Sequence, residues 1–202
     1  MTDEKTTHYF TAHKGVRLRE QDLFELKKAP LPLYSCKGVF ASTSFDRGTA
    51  ALLKYALIPQ HARVLDLGCG CGVVGIVLMK EQSAVVDFVD VNRLAVQLTK
   101  KNLARHKLEA RVLVSDLFDK VPDDYEVIIS NPPYAAGREL LRRLIVESKD
   151  HLVLGGSLQL VFRYAKGGKF VEQFMEEIFG NVTVLGKQGG FRVFSSKKAS
   201  TD

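Results

Sequence analysis

From position 63 onward the chain alternates short apolar runs with longer stretches in which apolar residues recur every three or four positions. The short runs predict strands: Arg63–Leu67 (RVLDL), Ala84–Val89 (AVVDFV), Ala110–Val114, Glu126–Ser130 and Ser157–Phe162. Their near-continuous apolar character is that of strands covered on both faces. The longer stretches predict helices over Val73–Met79, Asn92–His106, Arg138–Lys149 and Gly168–Ile178. In the second of these, Leu94, Val96, Leu98 and Leu103 lie on or near one inner face. Upstream, Thr49–Leu57 (TAALLKYAL) is helical in pattern, with Asp46 or Ser44 as N-cap and Pro59 as the stop. Strands alternating with helices imply an α/β fold, a mostly parallel sheet with helices on both faces. Two last apolar runs, Val182–Leu185 and Phe191–Phe194, are separated by a turn at Gly189-Gly190 and no helix. They complete seven strands and are expected to form an antiparallel hairpin at one edge.

Residues 1–44 are less regular and are punctuated by Gly15, Pro30, Pro32 and Gly38. The alternation at Val16–Leu18 and the apolar Leu31–Tyr34 (LPLY) predict short strands of a flap. The expected division is therefore an N-terminal extension over 1–44 and one domain over 45–202, consistent with a 202-residue chain. Hydrophobic residues make up 46%, enough for a sizeable core. No apolar run approaches the ~20 residues a membrane helix needs. The opening MTDEKTTHYF lacks the apolar segment of a secretory signal.

Cys69 and Cys71 stand too close for an ordinary disulfide, and Cys36 makes an odd count, which favours a reducing, cytoplasmic setting. His8, His13, His61, His106 and His151 are scattered without metal-ligand spacing, so no metal is expected. The net charge of +6 and pI of 9.2 suit a polyanionic partner such as nucleic acid, although no Lys/Arg block reads as a basic tail.

A glycine-rich loop, Asp66-Leu67-Gly68-Cys69-Gly70-Cys71-Gly72-Val73-Val74-Gly75, joins the first buried strand to its helix. Ligands of such sheets bind at the carboxyl ends of the strands, and alternate glycines let backbone approach them closely. Two ligands compete. Gly70, Gly72 and Gly75 match G-x-G-x-x-G, with Asp90 near the position that binds a nicotinamide-dinucleotide ribose. Gly68, Gly70 and Gly72 also form G-x-G-x-G behind Asp66, the pattern of S-adenosylmethionine (SAM) sites. There the carboxylate helps hold the ligand ammonium. The loop by itself leaves both readings open.

The following strand ends favour SAM. Asp90 can accept from both ribose hydroxyls, although a helix N-cap is its plainer role. Asp116, in VLVSDLF, is placed to accept from an adenine amino group, with the Leu117 N–H beside it. The next strand ends in Asn131-Pro132-Pro133-Tyr134. An exocyclic amine or side-chain amide is a poor nucleophile because its lone pair is delocalised. Two acceptors that hold both its N–H groups favour the pyramidal, attacking form. The Asn131 side-chain carbonyl is one. The Pro132 carbonyl is the other, its direction fixed by the two prolines. Tyr134 offers a face on which a planar substrate stacks, and positioning rather than a strong base is the main effect.

Together these residues resemble the class I SAM-dependent methyltransferases, which have a Rossmann-like fold. More narrowly they resemble the "methyltransferase small" domain family, which holds the 16S ribosomal RNA guanine-N2 methyltransferases of the RsmC type and compact single-domain relatives. The resemblance runs from HYF at His8 and GVF at Gly38 through FDRGTAALL at Phe45, DLGCGCGVVGI at Asp66 and VDVNRLAVQLTKKN at Val89. It continues through SDLF at Ser115, NPPYAAGRELLRRLI at Asn131 and GGFRVFSSKK at Gly189. It implies that Asp46, Gly48 and Thr49 close over the methionine end of SAM, and that Asp66, Gly68, Cys69, Gly70 and Gly72 line the cofactor. Asp90, Val91 and Asn92 would meet its ribose, Ser115, Asp116 and Leu117 its adenine, and Asn131 would border it while holding the target amine. The implied activity is methyl transfer to an exocyclic amine of RNA, guanine N2 of small-subunit ribosomal RNA, by a monomer or homodimer without a membrane partner. RsmC-type enzymes usually carry Phe where Tyr134 stands, and Asn-Pro-Pro-Tyr is also found in adenine-N6 and protein glutamine-N5 methyltransferases, which are the alternative. Candidate RNA contacts are Arg138, foremost, with Arg142, Arg143, Lys14, Arg17, Arg19, Lys166 and Lys169.

Overall fold

A computed structural model describes residues 18–39, 44–133 and 137–199. The N-terminal hairpin pairs β1 (Leu23–Glu25) with β2 (Tyr34–Cys36). Then follow α1 (Arg47–Tyr55), β3 (Arg63–Leu67), α2 (Val73–Glu81), β4 (Val85–Asp90), α3 (Arg93–Arg105), β5 (Val112–Val114) and β6 (Tyr125–Ser130). The chain closes with α4 (Gly137–Asp150), β7 (Leu152–Arg163), α5 (Gly168–Phe179), β8 (Thr183–Gln188) and β9 (Phe191–Lys197). The main sheet has seven strands in the order β5-β4-β3-β6-β7-β9-β8. The first five run parallel, and β9 is antiparallel to both of its neighbours. This is the expected α/β architecture with its antiparallel C-terminal hairpin.

Three local features depart from the sequence pattern. The predicted strand at 31–34 lies instead at Tyr34–Cys36 and pairs with Leu23–Glu25, a run too short to show a period. Strand β7 begins at Leu152, five residues before the apolar run at Ser157, because its first residues lie on the exposed margin of the sheet. Helix α1 starts at Arg47, and of its two candidate caps Asp46 is the one used, accepting from the Thr49 N–H. The strand predicted at Val16–Leu18 falls almost wholly outside the described residues. Leu18 is irregular.

Alternate side chains of a strand point to opposite faces, and the sheet accordingly divides two cores. Val64, Val127 and Ile129 pack with Ile76, Phe88 and Leu98 under α2 and α3. Leu65 and Ile128 pack with Leu144, Ile145 and Met175 under α4 and α5. Helix α4 buries Leu141, Leu144, Ile145 and Ser148, and α5 buries Val171, Phe174 and Met175. Both show the three-and-four spacing of a one-sided helix. Leu26, Leu33, Cys36 and Val39 carry the N-terminal hairpin into the first core. Asn102 of α3, fully buried, ties that hairpin to the glycine loop. Its amide accepts from the Tyr34 N–H at 2.7 Å and donates to the carbonyls of Tyr34 and Cys71 at 2.9 and 2.8 Å.

Candidate active site

The carboxyl ends of β3, β4, β5 and β6 lie side by side, where an open α/β sheet binds its ligands. At the end of β3 the chain turns through Gly68, Gly70 and Gly72, with φ of +75°, +59° and +81°. Side chains avoid these values, so the turn requires glycine. The glycines then divide by surroundings. A Cβ on Gly68 or Gly70 would meet nothing closer than the Ser130 hydroxyl or a Val39 methyl, each at 3.9 Å. On Gly72 it would strike Thr99 at 2.9 Å, and on Gly75 the Phe88 ring at 2.3 Å. Gly68 and Gly70 therefore border open space, whereas Gly72 and Gly75 let α2 sit close on its neighbours. The match to G-x-G-x-x-G thus has a packing reason at its last glycine, whatever the ligand.

Helix α2 has glycine at its N-cap and no capping side chain. Asp66 fills that role from the strand, accepting from the Gly75 N–H at 2.9 Å. The carboxyl is buried, and burial pushes its pKa up to about 7, with the nearby Asp90 adding to the rise and the Gly75 bond opposing it. Asp90, at the end of β4, accepts from the N–H groups of Gly70 at 2.9 Å and Asn92 at 2.8 Å, one on each oxygen. Burial raises its pKa as well, against those two bonds. Each oxygen keeps a further lone pair for a ligand. The cap of α3 is Asn92 rather than Asp90: its side chain accepts from the Leu94 N–H at 2.9 Å and donates to the Gly38 carbonyl at 2.8 Å. Val91 is half-buried between them. Cys69 and Cys71 are buried thiols whose pKa burial pushes up, Cys71 to about 12.

After β5, the Ser115 hydroxyl is buried and accepts from the Lys120 N–H at 3.0 Å. Asp116 faces outward with Arg143 at 3.4 Å. Leu117 has φ +43°, a left-handed conformation unusual for a branched residue, and its side chain is buried in the second core.

At the end of β6, the Ser130 hydroxyl donates to the Leu67 carbonyl at 2.6 Å and locks the ends of β3 and β6 together. Asn131 follows. Its Nδ2 donates to Asp46 at 2.8 Å and to the Thr49 hydroxyl at 2.9 Å. A carboxylate only accepts, so the amide nitrogen must face Asp46 and the carbonyl oxygen faces the other way. Pro132 is buried and Pro133 half-buried, while Tyr134 lies outside the described residues. A Cβ on Gly48 would meet the Phe191 ring and Asp46 at 2.9 Å each, so glycine there lets the start of α1 rest on β9.

The sequence-predicted residues thus fall into two groups. Asp46, Thr49 and Asn131 form one hydrogen-bonded cluster, and Asp66, Asp90 and the loop glycines form the neighbouring one. Asn92 and Ser115 spend their side chains within the fold, and Asp116 turns to Arg143. Arg138 and Arg142 lie over the Phe170 ring at 5.3 Å, and Arg142 also over Phe174 at 4.5 Å. Lys14 and Arg17 lie outside the described residues, and Arg19 pairs with Asp22.

Sequence reasoning missed a set of cations at this end of the sheet. Arg47 opens α1, Arg163 ends β7 opposite Phe191, and Lys187 lies on β8 next to the Gly189-Gly190 turn. That turn lies against Arg47: a Cβ on Gly189 would stand 2.6 Å from its guanidinium. Only the register of β9 brings these distant positions together. A cleft of about 470 Å³ lined by Leu57, Val153 and Leu154 belongs to the opposite, amino end of the sheet and holds none of the predicted residues.

The model of the methyltransferase small domain family matches residues 30–195. Ribosomal RNA small subunit methyltransferase C of Pasteurella multocida (strain Pm70) is 37% identical over 170 residues, covering 82% of this chain and 51% of that one. YbxB of Bacillus subtilis (strain 168), a protein without a characterised activity, is 28% identical over 197 residues, covering 95% of this chain and 98% of its own. Among solved structures, a Thermus thermophilus 16S rRNA N2 G1207 methyltransferase (RsmC) in complex with AdoMet and guanosine superposes with a TM-score of 0.75 at 24% identity. It covers 87% of this chain and 50% of that one, and the likeness is one of fold. The chain spans about half the length of the curated methyltransferases it matches.

Proposed function

This chain belongs to the methyltransferase small domain family, and we propose that it transfers a methyl group from SAM to an exocyclic amino nitrogen of RNA, guanine N2 of small-subunit ribosomal RNA. One observation carries the reaction type. The Asn131 amide is locked with its nitrogen toward Asp46 and Thr49, which leaves Oδ1 as a fixed acceptor beside the glycine loop. Membership of a methyltransferase family sets aside the nicotinamide reading of that loop.

The residues fit SAM. Gly68 and Gly70 border open space, and two carboxylates flank them. Asp66 in its ionised form would hold the ligand ammonium, Asp90 would accept from the ribose hydroxyls, and Asp116 with the Leu117 N–H would hold the adenine edge. When bound, SAM would supply an electrophilic methyl carbon on a sulfonium, whose sulfur leaves as a neutral thioether when the C–S bond breaks. Asn131 Oδ1 and the Pro132 carbonyl accept the two N–H groups of the target amine and turn its lone pair out of conjugation, toward the incoming carbon. Tyr134 stacks on the base. The methylated nitrogen is acidic and gives its proton to water, so positioning suffices without a strong base.

Arg47, Arg163, Lys166, Lys169 and Lys187 have no ion-pair partner among the described residues and border this end of the sheet, where they meet RNA phosphates. Among the described residues no helix is long and apolar enough to cross a membrane, and the proposed setting is the cytoplasm, where such RNA is found. The decisive experiment is transfer of labelled methyl from SAM to small-subunit RNA taken from a strain lacking this protein, followed by mass mapping. Label at a guanine N2 is expected. Label on a protein glutamine or an adenine N6, or NAD binding without SAM binding, overturns the proposal.

A further inference from the structure

We infer that Asp46 is a positioning residue for methyl transfer, acting through Asn131. The inference rests on the proposed amine-methylating function and goes beyond the expected role of Asp46 and Thr49 in closing over the cofactor.

One oxygen of Asp46, Oδ2, gathers three donors. It accepts from the Thr49 N–H at 2.8 Å, from the Thr49 hydroxyl at 3.2 Å and from Asn131 Nδ2 at 2.8 Å. The Thr49 hydroxyl, having given its proton to Asp46, takes the second hydrogen of the Asn131 amide at 2.9 Å. Both amide hydrogens of Asn131 are thereby spent on α1. An asparagine amide otherwise flips between two states of similar shape and opposite polarity. In one, the substrate amine meets an acceptor, and in the other a donor that repels its N–H groups. A carboxylate at 2.8 Å admits only the first state, because two oxygens facing each other would repel.

The same contact explains why residue 131 is Asn and not Asp. A carboxylate could also accept from an amine. Next to Asp46, however, it would form a pair of like charges within hydrogen-bond distance, and one of them would be forced to bind a proton or swing away. Asp46 therefore selects the carboxamide at 131 as well as its orientation. The pairing spans 85 positions of sequence and comes from the start of α1 lying beside the end of β6. Asp46 caps α1 too, so the two roles must be separated by experiment.

Asp46→Ser keeps a good helix cap, but its hydroxyl is one bond shorter and falls short of Asn131. Asp46→Asn keeps an acceptor oxygen on Asn131. Thr49→Val keeps the shape and removes the second acceptor. With wild-type transfer to RNA established, Asp46→Ser is expected to lower kcat by about 10²-fold, the cost of a misplaced reacting group. Its SAM Kd, RNA KM and Tm should stay near wild type. Asp46→Asn should recover most of that kcat, and Thr49→Val should fall between. Wild-type kcat in Asp46→Ser, or a SAM Kd weakened in proportion to the lost activity, overturns the positioning role while leaving the proposed function intact. A wild-type protein that binds SAM yet methylates no RNA overturns the function on which the inference rests.

Discussion

The two ends of the sheet treat charge in opposite ways. At the amino end, Arg63 and Arg111 converge on Asp87 and Asp123, and the Tyr125 hydroxyl completes the group by donating to Asp87 at 2.9 Å. The hydrogen bonds that Arg111 donates to Asp87 and Asp123 raise its pKa, and burial, then the bond to Asp87, raises that of Tyr125. Each of these four charges has an ion-pair partner, although the Arg111 Nε is buried without a hydrogen bond. At the carboxyl end, Asp66 and Asp90 hold backbone N–H groups and face no cation among the described residues, and burial raises their pKa values. Arg47 and Arg93 open α1 and α3, which have no acid in their first turns. The start of a helix is the end at which its dipole disfavours cations. At the amino end Arg63 and Arg111 pair with Asp87 and Asp123 within the fold. At the carboxyl end Asp116 pairs with Arg143, but Asp66, Asp90 and Arg47 have no ion-pair partner among the described residues, which suits the proposed binding of SAM and RNA.

The sharpest test of that contrast is Asn131→Ala. We expect methyl transfer to fall about 10³-fold, ~4 kcal/mol in the barrier, because one of two fixed acceptors is lost. SAM affinity by calorimetry should stay within a few fold. At the other end, Asp87→Ala leaves two arginines facing one carboxylate. Unfolding in denaturant should show a loss of about 3 kcal/mol, at the low end for a broken buried pair because the arginines are partly exposed. The kcat of the folded fraction should not change. If Asp87→Ala changed kcat and Asn131→Ala changed stability instead, the contrast would be broken.

A smaller effect concerns Asp66. Its folded pKa of about 7 lies above its unfolded value, so the group contributes stability that is full at low pH and is lost as pH rises through about 7. Binding the SAM ammonium favours the ionised form, so affinity should run the other way. We expect SAM to bind about tenfold more tightly at pH 8 than at pH 6, and the dependence to be flat in Asp66→Asn. A flat profile in the wild type would show that Asp66 caps α2 and does nothing more. Least of all, Arg47→Ala or Arg163→Ala should weaken RNA binding a few fold and lower its salt slope by about 1 each. An unchanged slope would remove these cations from the RNA face.

Much of this molecule is legible in its amino-acid order. The two hydrophobic periods mark the helices and all seven strands of the main sheet, because burial on one or two faces leaves a periodic trace. The glycine loop is visible because left-handed turns demand glycine. The stop at Asn131-Pro132-Pro133 is visible because proline ends a strand. The β1–β2 hairpin was only half visible, since strands of three residues carry no period. Sequence offers Asp90 as the cap of a helix beginning at Asn92, whereas Asn92 is itself the cap, its side chain accepting from the Leu94 N–H.

What the sequence by itself determined is local: where the chain extends or coils, where it must turn, and which chemical groups stand at the strand ends. Only the tertiary structure decided which distant groups share an oxygen or a face. The insertion of β9 between β7 and β8 sets Arg163 and the Gly189-Gly190 turn beside Arg47. The start of α1, lying beside the end of β6, brings Asp46 to Asn131 and gives that amide its one orientation. The physical reason is range. Periodicity and capping act over a few residues, whereas a hydrogen bond between positions 46 and 131 exists only after the sheet has brought their backbones together.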